Sequence, residues 1–572
     1  MSYLDKLNRF ASNPVNLDLK RSTFKRPFEM KCTMKEGKLY PVMVDEVLPG
    51  DTYRIDVNSL IRSITPAVPV MDNAYADIFA FWVPNRIATL HPNDWQKICG
   101  ENFNTAWAPS TEYTLSNTGN TVPYGSLLPH FNSVAAYMGV APYMHEDRST
   151  PNDKDALDAC EVNIMPFVAY AKIWNEWFRD QNVQAPIVDL QTFGKLTAGL
   201  DDGFLSVNRF HDYFTSALPA PQKADSVLVP LLDFAPVITG DEHIKSSTTT
   251  GTAIKFRSTN NANTPVGQTY FPGSGSTMGE LHASGSQGTI NTNYAVQPSN
   301  LWADLRTSTA TSVNQIRQAF AIQRLFEKDA RGGSRFREML RAQYGVSIPD
   351  NTVQVPEYLG GKRVPLNMQQ VIQNSETSTT PLGTTGAFSN TFDSSNIVHK
   401  SFSEHGYIIV LCCIRTQNTY SQGINRMFLR NRRFDWYYPV FANLGEQAVK
   451  KIELYVPISD GPSSPNDYFD GTTVFGYQEA WAEYRYKPSM VAGYLHPDSG
   501  DTLLTPWTYT NRFTAIPTLN SSFMFEGAKK IANTLVVESS DQTYQFICDF
   551  YFDMTCRRVM PLYSIPGLVD HH

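Results

Sequence analysis

The sequence has few charged residues, few cysteines and no long apolar run, and each shortage excludes a class of protein. Charged residues make up 18% of the 572 residues and hydrophobic residues 42%, which favours a globular chain over a disordered one. The formal net charge of -7 provides no overall basic field, so any nucleic-acid site must be local. The longest apolar run, Tyr407–Ile414, is far shorter than the roughly 20 residues that a bilayer requires.

The seven cysteines form a poor disulfide framework, because their number is odd and Cys412 and Cys413 are adjacent. Their neighbours are apolar, so we expect reduced cysteines in the core of a chain that folds in a cytoplasm. The N-terminal residues contain no apolar segment of the kind found in secretory signals. No spacing among the cysteines is typical of a zinc site.

Sequence motifs of enzymes are missing as well. Around "GGKR", Pro356 occupies the first glycine position of a phosphate-binding loop and Arg363 occupies its Ser/Thr position. No serine lies in a G-x-S-x-G motif. The final "DHH" is more typical of a polar tail than of a metal site. We therefore predict a protein that is not an enzyme, with no catalytic residue, no metal and no cofactor.

Strand patterns occur at the two ends of the chain and helix patterns in its middle. Residues 52–61 and 543–556 alternate between apolar and polar, and residues 74–85 are apolar enough for a buried strand. Residues 167–180 and 311–333 have the apolar spacing of helices. The two β-rich ends must pair with each other to close a core, which favours an antiparallel sandwich or barrel with long inserted connections.

Two basic clusters have aromatic residues between the cations, a combination that suits single-stranded nucleic acid. The candidate DNA-binding residues are Lys20, Arg21, Lys25 and Arg26 in an N-terminal arm, residues 1–36, and Arg430, Arg432 and Arg433 in "NRMFLRNRRFDWYYP". Two alternatives stay open for the arm, which could be solvated or could wrap a neighbouring subunit. For the second cluster, interface salt bridges to carboxylates remain an equal alternative.

The segment Ser246–Gln297 differs from the rest of the chain in being almost uncharged and poor in apolar residues. Its charged residues are Lys255, Arg257 and Glu280, and the remainder is rich in Ser, Thr, Gly, Asn and Gln. So little apolar surface cannot offset the entropy of ordering in isolation. The segment is therefore not expected to fold on its own, and one interpretation is a disordered linker between domains.

Six segments, spread in order over nearly the whole chain, resemble the major capsid protein of the Microviridae, gokushovirus branch, which are single-stranded-DNA bacteriophages. The segments are "PFVAYAKIWNEWFRDQN", "RFHDYFTSALPAPQK", "FEKDARGGSRFREML", "PEYLGG", "VFGYQEAWAEYRYKPS" and "FICDFYFDMTCRRVMPLYSIPGL". "RSTF" and "VDEVLPGDTYRID" near the start fit the same pattern.

The resemblance implies a mainly β fold, an eight-stranded antiparallel jelly roll with long inserted loops and helices. Residues 37–572 would form this single domain, with large insertions in 86–400. The implied function is a structural capsid protein that self-assembles into an icosahedral T=1 shell around a circular single-stranded DNA genome. Its implied partners are itself, the genome, a small basic DNA-binding phage protein, a phage scaffolding protein and a host cell-surface receptor. It would be located in the virion, after assembly in the bacterial host cytoplasm.

The same resemblance implies that residues from about 224 to 300 form protrusions at the threefold axes, which would take part in host attachment. We expect the few apolar residues of the insertion to be shared among three copies there. These candidates are Phe256, Tyr270, Phe271 and Leu281.

One alternative function belongs to another class: a secreted carbohydrate-binding or carbohydrate-active β-sandwich with Trp- and Tyr-rich loops. The missing secretory signal and the missing pair of carboxylates count against it, as do the six ordered segments.

Overall fold

The structure is a computed structural model of the chain. The residues that it describes are 20–99, 114–116, 119–127, 129–142, 160–187, 203–225, 227, 237–239, 256–258, 268–270, 282–284, 296–298, 301–303, 313–376, 382–383, 385–456, 473–500, 503–527, 530–536 and 544–563.

The described strands are numbered in chain order. They are β1 (Ser22–Lys25), β2 (Phe28–Met34), β3 (Leu39–Val47), β4 (Thr52–Ser63), β5 (Ala74–Pro84), β6 (Thr121–Pro123), β7 (Glu161–Asn163), β8 (Val237–Thr239), β9 (Phe256–Ser258), β10 (Gln268–Tyr270), β11 (His282–Ser284), β12 (Val296–Pro298), β13 (Leu301–Ala303), β14 (Glu357–Pro365), β15 (Met368–Ile372), β16 (Thr385–Ser389), β17 (Thr391–Ser401), β18 (Gly406–Thr416), β19 (Glu446–Lys450), β20 (Val474–Glu479) and β21 (Phe546–Arg558).

The described α-helices are mostly short. They are α1 (Asn85–Ala88), α2 (Asp94–Ile98), α3 (Tyr124–Leu127), α4 (Val134–Tyr137), α5 (Met165–Ile173), α6 (Val313–Gly332), α7 (Phe336–Tyr344), α8 (Asp350–Val353) and α9 (Ser521–Met524). A π-helical turn, Trp174–Phe178, continues α5, and several single 3₁₀ turns lie in the C-terminal third. None of the described helices is long and apolar enough to cross a membrane.

A five-stranded antiparallel sheet joins the two ends of the chain. Strand β21 lies between β4 on one side and β1 and β2 on the other, and β17 pairs with the far edge of β4. Alternate residues of β21 are buried, from Phe546 to Cys556, while Ile547, Tyr551 and Asp553 are exposed. This alternation gives the sheet one apolar face and one face open to solvent. The strands predicted in 52–61 and 543–556 are confirmed.

A four-stranded antiparallel sheet has the order β14–β5–β18–β3, and its central strands β5 and β18 are buried on both faces, while the edge strand β14 is more exposed. Strand β18 contains the longest apolar run of the sequence, and nearly all of its residues are buried. Helix α5 packs against β5 and β18, and the Tyr170 hydroxyl on that helix donates a hydrogen bond to the Leu39 carbonyl over 2.7 Å. A strand that is buried on both faces must be apolar throughout, as this one is.

The inner faces of the two sheets share one hydrophobic core. It includes Tyr53 and Phe550 from the five-stranded sheet and Trp82 and Ile408 from the four-stranded sheet. At one edge β14 approaches β17 closely. A Cβ on Gly360 would lie 2.3 Å from the Ile397 carbonyl oxygen, so a side chain is excluded there. The chain is therefore mainly β, and its two largest antiparallel sheets pack as a sandwich.

All seven cysteines are free thiols. The prediction of core positions is confirmed for Cys412, Cys413, Cys548 and Cys556, which are buried. It is wrong for Cys99 and Cys160, which are exposed. Neither residue belongs to a strand of the two large sheets, where alternation would have turned the side chain inward.

A buried polar cluster occupies the corner where the chain passes from β2 to β3. Both carboxylate oxygens of Glu36 accept hydrogen bonds from the Ile531 backbone N–H, at 3.1 and 3.0 Å. Nearby, Glu526 accepts hydrogen bonds from Thr416 over 2.7 Å and from Lys530 over 2.8 Å. Burial, together with the neighbouring Glu526 charge, raises the pKa of Glu36 to about 8.

Residues Gln222–Lys328 form a second compact unit, and the rest of the chain forms the first. Within the second unit, six short strands pair as nested antiparallel partners: β8 with β13, β9 with β12, and β10 with β11. In sequence order, the β10–β11 pair lies between β9 and β12, and the β9–β12 pair lies between β8 and β13. The predicted insertion of about 224–300 lies inside this unit.

The predicted N-terminal arm, residues 1–36, contains strands β1 and β2 in its described part. Both strands pair with β21, so residues 22–34 are part of the five-stranded sheet. The predicted helices of the middle correspond to α5 with its π-helical turn and to α6.

Candidate functional site

Three of the four basic candidates near the N-terminus are exposed. Lys20, Arg21 and Lys25 face solvent, with Lys25 on the open side of β1. Arg26 differs, because its guanidinium donates two hydrogen bonds to the Asp45 carboxylate, at 2.7 and 2.9 Å. A bidentate pair of this kind compensates the charge of Arg26 inside the protomer. The structure therefore offers the first three, and not Arg26, to an external anion.

The second basic cluster divides in the same way. Arg430 donates a hydrogen bond to Glu483 over 2.9 Å and lies over the ring of Tyr484, and its side chain is only 10% exposed. Arg432 and Arg433 are exposed. The sequence could not separate these three arginines, because Glu483 is remote in the chain and meets Arg430 only in the folded protein.

A cavity of about 680 Å³ lies beside Arg430. Its lining mixes both charges with aromatic rings and includes Arg426, Arg432, Lys450, Glu453, Phe434 and Trp481. Arg426 donates a hydrogen bond to Glu453 over 3.1 Å, and burial raises the pKa of that glutamate. Because acids and bases alternate around the cavity, it has no uniform charge that would select an anion or a cation.

An aromatic surface adjoins this cavity. We define it as the exposed apolar side chains between Met427 and Leu444, namely Met427, Phe428, Phe434, Trp436, Tyr437, Tyr438, Val440 and Leu444. Phe428 is 72% exposed and Val440 is 87% exposed. So many large apolar side chains on one short segment are rare on the surface of a monomer and are typical of a protein–protein interface.

Hydrogen bonds hold the backbone of the aromatic surface in place. The Asp435 carboxylate accepts hydrogen bonds from the backbone N–H groups of Asn431 over 2.9 Å and Arg432 over 2.7 Å. The Trp481 indole donates a hydrogen bond to the Phe441 carbonyl over 3.2 Å. These contacts fix the backbone that carries the exposed side chains, which lowers the entropy cost of association.

The register of the five-stranded sheet places further basic residues beside Lys25. Lys25 of β1 pairs with Thr555 of β21. Thr555 pairs with Arg54 of β4, and Arg54 pairs with His399 of β17. Arg557 lies two residues from Thr555 on the same face of β21. Arg54, His399 and Arg557 lie in three separate segments of the chain and are not among the basic candidates predicted from the sequence; only strand pairing brings them together.

The candidate residues of the insertion are described only in part. Phe256 lies on β9 and Tyr270 on β10. Phe271 and Leu281 lie outside the described residues. The backbone pairing of β9 with β12 and of β10 with β11 shows that the strands carrying Phe256 and Tyr270 are parts of the same nested arrangement.

Metal-binding chemistry has no support within the described ranges, where no group of three or more His, Cys, Asp and Glu residues lies close enough to hold an ion. The C-terminal "DHH" falls outside those ranges. The described surfaces include the open face of the five-stranded sheet and the aromatic surface. Both are suited to binding macromolecules.

Comparison with known proteins matches nearly the whole chain. Residues 14–568 match the family described as "Capsid protein (F protein)". The chain is 35% identical over 578 residues to "Capsid protein VP1" of Spiroplasma virus 4, an alignment that covers 96% of this chain and 95% of the relative. It is 34% identical to the protein of that name from Bdellovibrio phage phiMH2K, covering 98% and 97% of the two chains. Identity to the Chlamydia phage 1 protein of that name is 33%, covering 98% of each chain.

Proposed function

Because the chain belongs to the phage capsid protein (F protein) family, we propose that it is the major capsid protein of a Microviridae phage and that copies of it assemble into the shell of the virion. The observation that carries this proposal is the match along nearly the full length of this chain and of its relatives. The role is structural, and the protein acts by burying surface against other copies of itself.

The aromatic surface is the part of the described protomer best suited to such contacts. Obligate protein interfaces are large and apolar, and their binding energy is concentrated in aromatic residues and arginines held in rigid positions. The aromatic surface combines exposed rings, a fixed backbone and the internally paired Arg430. We assign it to a contact between neighbouring copies in the shell.

The test compares two pairs of exposed apolar residues. Phe428→Ser with Val440→Ser removes two side chains of the aromatic surface, while Phe131→Ser with Leu503→Ser removes two similarly exposed side chains elsewhere. Assembly is measured by sedimentation and negative-stain electron microscopy of the expressed chain. We expect the first pair of substitutions to lower the yield of closed shells at least tenfold. The control pair should lower this yield less. Equal losses from both pairs would contradict the assignment.

The enclosed genome is proposed to be circular single-stranded DNA. The exposed cations Lys20, Arg21, Lys25, Arg432 and Arg433 remain candidates for contact with it. Arg26 and Arg430 are weaker candidates, because Asp45 and Glu483 already compensate their charge. Measuring the nucleic acid in purified particles, with nucleases specific for single strands and for duplexes, tests this part of the proposal. Particles that hold only duplex DNA or RNA would contradict it.

The second compact unit is proposed to form the threefold protrusions and to take part in host attachment. What supports this is the nested pairing of β8 to β13, since three antiparallel strand pairs form within a segment that has few apolar residues. Three copies meeting at a symmetry axis would supply the missing apolar contacts, with Phe256, Tyr270, Phe271 and Leu281 as candidates.

A deletion designed from the strand register tests the role of this unit. Ser258 of β9 pairs with Val296 of β12, so residues 259–295 can be replaced by Asn-Gly, the preferred two-residue turn between such partners. We expect closed shells without knobs at the threefold axes, and loss of infectivity. Unchanged knobs in the deletion variant would refute the protrusion proposal, and unchanged infectivity would refute the attachment role.

The sandwich is proposed to be a variant of the eight-stranded jelly roll. The chain crosses from one sheet to the other between β3 and β4, between β4 and β5, and between β17 and β18, as jelly-roll winding requires. Residues 37–572 would then be one domain with insertions. The proposed partners are other copies of the chain, the genome, a small basic DNA-binding phage protein, a scaffolding protein and a host receptor. Assembly is proposed to occur in the bacterial cytoplasm.

Family membership favours this function over the carbohydrate-binding alternative. The relatives named as capsid proteins align with this chain over almost their whole length. No feature of the described surfaces favours a sugar site over a contact between copies.

A further inference from the structure

We propose that the open face of the five-stranded sheet, at the end formed by Lys25, Arg54, His399 and Arg557, binds the phosphate backbone of the single-stranded genome. This inference rests on the proposed enclosure of single-stranded DNA and adds where the protomer contacts it. We call this surface the cation–hydroxyl patch. It consists of two adjacent rows of side chains across four strands: Lys25, Thr555, Arg54 and His399 in one row, and Thr23, Arg557, Thr52 and Ser401 in the other.

The patch faces solvent because of strand alternation. Phe24, Tyr53 and Cys556, which lie between the two rows, turn inward toward the core. Lys25, His399 and Arg557 are exposed, and the Arg54 side chain is 64% exposed. Neighbouring strands lie about 4.8 Å apart, so a row across four strands is about 14 Å long.

The composition of the patch selects an anion. Its eight positions contain three permanent cations, one imidazole and four hydroxyl groups, and none of them is a carboxylate. Arginine, lysine, serine and threonine are the side chains that bind phosphate oxygens most often in protein–nucleic acid complexes. An uncommitted solvated face would be expected to intersperse acids among its cations.

Acidic residues border the patch on its inner side. The next row of the same face holds Asp553 and Asp56, and Asp56 accepts hydrogen bonds from Arg54 over 3.1 Å and from Asn396 over 2.6 Å. A polyanion is therefore repelled from the middle of the sheet. The favourable path for a DNA backbone runs across the strands, along the patch, rather than down them.

A second observation is that the partly buried ion pairs near the patch use arginines other than its own cations, although Arg54 of the patch forms an exposed pair with Asp56. Arg558, the inward neighbour of Arg557, donates a hydrogen bond to Asp51 over 2.9 Å and to the Tyr53 hydroxyl over 2.7 Å. Arg26 is likewise paired with Asp45. Arg26 and Arg558 therefore form the structural ion pairs, whereas their sequence neighbours Lys25 and Arg557 face outward.

The test compares two double variants on the same face of the same sheet. Lys25→Gln with Arg557→Gln removes two cations of the patch. Lys31→Gln with Arg62→Gln removes two exposed cations from the opposite end and serves as the matched control. Binding of the full-length chain to a labelled single-stranded oligonucleotide is followed at several salt concentrations, and the DNA retained per particle is measured in assembled shells.

We expect the patch variant to lower the salt dependence of binding, the slope of log K against log[salt], by about 1.4, since each phosphate contact on a single strand contributes about 0.7. The control should keep the wild-type slope. Equal slopes in the two variants would overturn the location while leaving DNA enclosure intact. No salt-dependent binding by the wild-type chain, together with particles free of DNA, would overturn both. Tighter binding of a sulfated glycan than of the oligonucleotide would assign the patch to a cell-surface polyanion instead.

Discussion

The two sheets of the sandwich are both antiparallel, but they differ in what covers their outer faces. The four-stranded sheet carries helix α5 on its outer side, and its strand β18 is apolar on both faces. The outer face of the five-stranded sheet is open, and its strands β4 and β21 alternate between buried residues and residues that face solvent. The difference shows which sheet can evolve a binding surface: polar residues on an open face can change without cost to the core.

The same comparison separates residues that stabilise the protomer from residues that are free to contact partners. In the four-stranded sheet a buried charged residue is paired within the protomer: Asp77 forms ion pairs with both Arg363 and Arg415. On the open sheet the outward cations have few internal partners. Three predictions follow this contrast, ordered from the largest expected effect to the smallest.

Removing side-chain volume should be costly in the covered sheet and harmless on the open face. Leu411 of β18 is fully buried, whereas Ile547 of β21 is 55% exposed. We expect Leu411→Ala to lower the free energy of unfolding by about 2–5 kcal/mol, because it leaves a cavity among packed neighbours. Ile547→Ala should change it by less than about 0.5 kcal/mol. Urea denaturation of the unassembled chain measures both, and similar losses would show that the open face is covered within the protomer.

The corner between the two sheets should make stability depend on pH through Glu36. Its folded-state pKa of about 8 lies above the ordinary value of 4.5, because the site is buried and Glu526 is near. The folded state therefore binds the proton more tightly than the unfolded state does. The contribution of this group is fully favourable below about pH 4.5 and is lost as the pH rises toward about 8.

Glu36→Gln removes that titration. We expect the variant to lose less stability than the wild type between pH 5 and 8, by on the order of 1–3 kcal/mol, as measured by thermal or urea denaturation at several pH values. Glu29→Gln, a change at an exposed carboxylate on the adjoining strand, is the control. A pH profile of Glu36→Gln that parallels the wild type would rule out Glu36 as the source.

The smallest effect should come from the open face itself. Arg54 forms an exposed ion pair with Asp56 at 3.1 Å, and exposed pairs of this kind contribute little to stability. We expect Arg54→Gln to change the free energy of unfolding by less than about 0.5 kcal/mol in urea denaturation. A loss above 2 kcal/mol would mean that the cation–hydroxyl patch serves the fold and not a partner.

Strands were predictable where one face of the strand is exposed to solvent, because apolar and polar residues then tend to alternate along the sequence. Residues 52–61 and 543–556 are examples, and both are strands of the open sheet. The cysteines show the limit of such reasoning. Apolar neighbours indicated a core position for all of them, but burial depends on whether the segment packs into a sheet, and Cys99 and Cys160 do not.

The candidate site was predictable only in part. The basic residues predicted from sequence include Lys25, which is exposed, and Arg26 and Arg430, whose charges Asp45 and Glu483 compensate. Clusters along the chain could not separate these cases, nor could they bring together Arg54, His399 and Arg557, which belong to different segments. The physical reason is that charge–charge distances are set by strand register and side-chain direction, which composition along the chain does not contain.

The sequence by itself determined that this is a β-rich, globular protein, and its ordered motifs determined its capsid family. These properties follow from local alternation, from composition and from residue identity, which are written directly along the chain. Only the tertiary structure decided which charges remain free, which aromatic residues form a rigid exposed surface, and which strands bring Lys25, Arg54, His399 and Arg557 together. The physical reason is that pairing of β21 with β1 and β4 brings residues into contact that lie hundreds of positions apart, and electrostatic and apolar contacts depend on that distance in space alone.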